Sequence, residues 1–179
     1  MRKTIRPVFW LLQRARAEVA QLVGRWLPKP DSGLPAGYCA AMSQESMEIT
    51  RRVYDAALRS DWNTLSELID PDFEFRGTVG GLEEGRIARG VQQFIEVFEE
   101  EDLDAWEERR FEPKDFIDAG DCVVVLQREY RRGRSSGVEL ETETAVVFEV
   151  RGGRVVRIQG YMDPVSALEA VGLSERDDA

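Results

Sequence analysis

Arg128 and Tyr130 stand two positions apart in an apolar stretch at 122–132, and Thr142 and Thr144 stand two apart at 138–150. A spacing of two puts each pair on one face of a strand, among hydrocarbon neighbours such as Val124, Leu126, Val146 and Phe148. A few polar groups among apolar walls is how a small-molecule pocket is built. Arg128 reads in two ways: a guanidinium at a pocket mouth holding a carboxylate or enolate oxygen, or a surface arginine paired with one of the many acids. If it points inward it needs a partner, and Asp163 and Glu143 are the first acids to consider, because an unpaired buried guanidinium costs several kcal/mol. Tyr54, Tyr130 and Tyr161 can donate to a ligand carbonyl or can satisfy the backbone. Trp106 offers ligand stacking or sheet packing, and Phe75 adds an apolar wall.

Other chemistries lack their residues. The chain has no histidine, and its two cysteines, Cys39 and Cys122, are 83 positions apart, so neither a zinc site nor a disulfide framework is expected. No cofactor is implied. The acidic run at 99–102, followed by Asp104, Glu107 and Glu108, lacks the turn glycines of a cation loop and reads as a solvated face. The glycines between Gly77 and Gly85 do not have phosphate-loop spacing.

Composition sets the frame. At 179 residues, 42% hydrophobic and 32% charged, the chain suits one core with an extension. The net charge of -10 repels phosphate backbones, so nucleic acid is not an expected partner. The charge is divided unevenly: residues 1–41 carry seven basic and two acidic side chains, net +5, which leaves -15 for residues 42–179. Val8, Leu12, Ala15, Val19, Leu22 and Trp26 recur at helical spacing, predicting a basic amphipathic helix followed by a Pro/Gly-rich linker. Three readings of residues 1–41 stand: membrane-surface contact through 1–27, docking on a protein, or an upstream start ahead of Met42. The apolar run 8–12 is too short for a secretion signal, and a cytoplasmic location is expected.

The elements that must position the polar residues follow from period and punctuation. Ser43 and Ser46 cap a first helix with Ile49, Val53, Ala56 and Ala57 as its stripe, and Asp61 caps a second, ended by Pro71. A strand at 73–76 leads through a glycine loop to a third helix with Val91, Phe94, Ile95 and Phe98. From Trp106 the period is two, predicting strands at 106–118, 122–132, 138–150 and 155–161 joined as an antiparallel meander. The turn 133–137 links the middle pair, and the even positions of both strands are read as the interior. Asp163-Pro164 opens a last short helix. Helices first and a long meander afterwards make an α+β fold.

Three stretches give this order a family likeness: Tyr54 to Trp62 with Leu68 to Phe75, Phe116 to Asp121, and Phe148 to Asp163 closed by Ala167 to Leu173. They resemble the SnoaL-like branch of the nuclear-transport-factor-2-like superfamily. The resemblance implies a cone-shaped curved antiparallel sheet packed by about three N-terminal helices and a short C-terminal one, commonly as a homodimer. It implies a small-molecule ligand and a range of chemistry: polyketide cyclases, steroid isomerases, dehydratases and epoxide hydrolases share the fold. The isomerase base and acid positions fall at Gly77 and near Val146, neither able to move a proton. Dehydratases of this fold rely on histidine, and the epoxide-hydrolase plan lacks its two aspartates around Arg128. Cyclase chemistry needs one acid–base pair, for which Asp163, Glu143 and Arg128 are the candidates. The expectation is a domain binding an apolar, oxygenated compound, with cyclase, isomerase or lyase activity as the enzymatic reading and a non-catalytic dimeric module as the other.

Overall fold

The structure, a computed structural model, describes residues 26–27, 36–104 and 106–175, with side chains from 44 to 99 and from 106 to 173. The amphipathic helix read from residues 8–26 falls, save Trp26, outside the described residues. In chain order the elements are β1 (Trp26–Leu27), α1 (Ala36–Leu58), α2 (Trp62–Leu68), β2 (Ile69–Val79), β3 (Ile87–Arg89), α3 (Gly90–Asp104), β4 (Trp106–Ala119), β5 (Cys122–Gly133), β6 (Glu139–Arg151), β7 (Arg154–Tyr161), α4 (Pro164–Ala170) and β8 (Ser174–Glu175). The first helix begins at Ala36 rather than at Ser43, and Trp26–Leu27 pairs with Ser174–Glu175.

Six strands form one open sheet in the order β3-β2-β7-β6-β5-β4. Its meander, β4 to β7, is antiparallel, as the alternation predicts, but β2 runs parallel to β7. A parallel neighbour demands a long crossover, and everything from α3 through β6 supplies it. Register shifts interrupt β2, β4 and β7, and such bulges bend a sheet.

Helices α1, α2 and α3 cover the inner face of the bent sheet. Ile49, Val53 and Ala56 form the buried stripe of α1, packed with Leu65, Phe73, Phe94, Val125, Phe148 and Ile158 in one core. Asp61 caps α2 by accepting from the Thr64 backbone N–H and hydroxyl, which turns the chain sharply after Leu58. Pro71 does not end α2; the helix stops at Leu68 and Pro71 lies inside β2.

Among the described residues the outer face is covered only in part. α4, capped by Asp163 with Pro164 in its first turn, lays Ala167 and Leu168 on Val124, Leu126, Ala145 and Val147. The first half of β5 is therefore buried on both faces, which explains its unbroken run Val123-Val124-Val125-Leu126. Beyond Leu126 the outer face is charged, and there the alternation returns.

Candidate functional site

The two middle strands pair in the register Val125↔Val146, Gln127↔Thr144, Glu129↔Thr142 and Arg131↔Leu140. Odd positions of β5 thus share the inner face with even positions of β6. Reading the turn as residues 133–137 pairs Arg132 with Val138, whereas Arg132 in fact pairs with Glu139. That single residue reverses the face of every β5 side chain. The even positions of β6 are inner as expected, but those of β5, Arg128 and Tyr130 included, are outer.

Between the inner face and the helices lies a cavity of about 450 Å³, within the usual range for small-molecule sites. Of the residues singled out in the sequence, Tyr54, Phe75, Trp106, Thr142 and Thr144 line it. Tyr161 borders it and also packs on the outer cluster beneath α4. Phe94, Phe98, Phe111 and Phe148 complete much of the aromatic wall, with Phe75 and Phe94 centroids 5.3 Å apart.

Arg128, Tyr130 and Asp163 are elsewhere. Arg128 bonds Glu141 at 2.9 Å and lies 3.7 Å from Glu143, and Tyr130 sits under the Arg110 guanidinium. Arg128 and Tyr130 border a second, more open cavity of about 570 Å³ with Arg110, Glu112 and Glu141. Its wall mixes these charged groups with Ala57, Leu58, Phe98 and Phe111. Asp163 spends its carboxylate on the Val165 and Ser166 N–H groups and the Ser166 hydroxyl, and these bonds, the last foremost, hold its pKa below the ordinary value. It is a helix cap, out of reach of the acid–base role considered for it.

Two polar constellations inside the cavity escape the sequence reading. The first is a chain at its deep end: the Tyr54 hydroxyl donates to Gln127 Oε1 at 2.6 Å, and Gln127 Nε2 donates to Thr144 Oγ1 at 3.1 Å. Burial foremost, and the charge of Glu129 next, raise the Tyr54 pKa and keep the phenol neutral. The second amide hydrogen of Gln127 and the Thr144 hydroxyl hydrogen have no acceptor among the described residues, so both can serve a ligand oxygen. The second constellation is nearer the mouth. Glu129 Oε1 accepts from Arg109 Nε at 3.0 Å and from Arg131 Nε at 2.7 Å. The Glu129 side chain is only 7% exposed. Arg109 lies over Phe111 at 4.4 Å and Arg131 over Trp106 at 5.3 Å, so aromatic faces shield both cations.

Other reactive groups are quiet. Burial, with Glu149 and Asp121 adding to it, pushes the Cys122 thiol up to about 11, which makes it a poor nucleophile. Among the described residues no group of three or more His, Cys, Asp or Glu could hold a metal ion. None of the described helices is long and apolar enough to cross a membrane. Gly77, where an isomerase base would fall, cannot carry a side chain: an added Cβ would lie 1.9 Å from the Glu83 carbonyl oxygen.

A bent, open sheet that closes on three helices around a cavity defines the nuclear-transport-factor-2-like architecture. Residues 50–158 match the SnoaL-like domain, and the chain belongs to that family. Solved structures agree on the fold. A protein of this class from Burkholderia xenovorans superposes with a TM-score of 0.59 at 22% identity, covering 72% of this chain and 97% of its own. A second, of unknown function, from Burkholderia pseudomallei gives 0.57 at 23%, covering 71% and 97%. TerC, co-crystallised with polyporic acid, gives 0.55 at 21%, covering 72% and 98%. No curated protein sequence matches this chain significantly.

Proposed function

We propose that the domain holds an apolar, oxygenated small molecule in the cavity between the meander and helices α1 and α3. The observation that carries this reading is the pair of donors, on Gln127 and Thr144, that have no acceptor among the described residues and face an aromatic-walled cavity of about 450 Å³. A buried amide held by Tyr54 on one side is oriented before any ligand arrives, which lowers the cost of binding an oxygen there. A module that only bound another protein would have no use for such a space and would fill it with its own side chains. One neighbour in fold was co-crystallised with polyporic acid, a precedent for a small molecule on this scaffold.

Binding is better supported than turnover. Glu129, an acid lining the cavity, has one oxygen committed to two guanidiniums, and Tyr54 has its proton committed to Gln127. Proton transfer through Glu129 or Tyr54 has to disturb one of these bonds. Native mass spectrometry of gently purified protein tests the proposal. The expected result is a retained small molecule that leaves on denaturation. A bare protein mass, together with no binding of an uncharged apolar dye such as phenylnaphthylamine, would overturn it.

A further inference from the structure

Resting on that reading, we infer that the ligand meets Gln127 and Thr144 with a carbonyl oxygen, and that these two residues select carbonyl compounds over the corresponding alcohols. Tyr54 brings one polar hydrogen to the chain of bonds, Gln127 two and Thr144 one. The bonds from Tyr54 to Gln127 and from Gln127 to Thr144 use two of these four, so two are left over. Turning the Gln127 amide end for end changes which groups carry the remaining hydrogens, but not their number. Gln127 and Thr144 are 6% and 4% exposed, so these donors are withdrawn from bulk water.

The two residues are direct cross-strand partners on the inner face, and Gln127 Nε2 lies 3.1 Å from Thr144 Oγ1, close enough for one oxygen to accept from both. A carbonyl oxygen offers two lone pairs and brings no hydrogen, which matches a pair of donors. An alcohol oxygen that accepts the same two bonds turns its own hydrogen away from both. The residues that continue the wall along the strands, Val146, Phe148 and Ile158, carry no side-chain acceptor for that hydrogen. A hydrocarbon fares worse, because it leaves both donors buried and unpaired.

Fluorenone and fluorenol, one rigid skeleton bearing a carbonyl or a hydroxyl, test this by calorimetry, with phenylnaphthylamine as the probe of the pocket itself. The expected result is that fluorenone binds about tenfold more tightly than fluorenol, and that Thr144→Val and Gln127→Leu each bring the preference within about twofold. The infrared carbonyl stretch of bound fluorenone should fall below its value in hexane. Equal affinity for the two compounds, a preference for fluorenol, an unshifted stretch, or a preference that survives both substitutions overturns the carbonyl assignment while the pocket stands. Uptake of the dye with neither compound bound does the same. If the intact protein takes up neither the dye nor either compound, the pocket reading falls and the inference falls with it. Should Gln127→Leu fail to fold, Thr144→Val, which keeps the shape of the side chain, and the infrared shift decide.

Discussion

Arg109 and Arg131 are direct cross-strand partners in the β4–β5 ladder, and like charges in that relation repel. The Glu129 carboxylate bridges them through one oxygen. Its removal leaves two guanidiniums, 10% and 23% exposed, without their shared counter-charge. Glu129→Ala is therefore expected to destabilise the domain by about 3 kcal/mol, and with it the melting temperature by about 10 °C. Glu141→Ala provides the contrast. That side chain is 49% exposed beside Arg128, and surface pairs of this kind are worth about 0–1 kcal/mol. Thermal unfolding of the two variants in parallel checks both values. In the sequence, Glu129 and Glu141 look alike, each a glutamate in an alternating strand. Only the register distinguishes them.

At the scale of elements, the four meander strands, with ends within about two residues, and the caps at Asp61 and Asp163 were legible, because each is a local signal, whereas the strand read at 73–76 runs from Ile69 to Val79 and β3 was not read. The pairing of β5 with β6 was not. Gly133 donates to Val138 and accepts from Gly137, closing a turn one residue longer than punctuation suggests. Apolar residues could not correct the error, since Val123 to Leu126 is covered on one face by α1 and on the other by α4. Cavity residues from distant elements, such as Tyr54 on α1 and Gln127 on β5, meet only after the sheet bends over the helices. The amino-terminal boundary rests on similar reasoning. The first described buried residue of α1 is Ser46, and β1–β8 is a two-residue ladder, so deleting residues 1–41 is expected to move the melting temperature by less than about 3 °C. A larger fall would mean that the segment packs on the domain.

The sheet presents two unequal outer surfaces: an apolar half under α4 and a half that no other described element covers, where Arg128, Tyr130 and Arg132 run beside Glu139, Glu141 and Glu143. Adjacent columns of opposite charge are self-complementary under a two-fold rotation, and we propose this half as the contact of a homodimer. Sedimentation at micromolar concentration should give a dimer that weakens as salt is raised. Monomer alone at low salt would refute it.

The Glu83 carbonyl, which accepts from the Arg86 N–H, fills the space that a side chain at position 77 would need. Seen as a path through sequence space, this closes the direct route to another chemistry. An aspartate cannot be tried at position 77 by one codon change and kept or discarded on its merits, because the loop at 80–85 has to be rebuilt first. Two changes, the first with no benefit of its own, separate this scaffold from one with a base at that position.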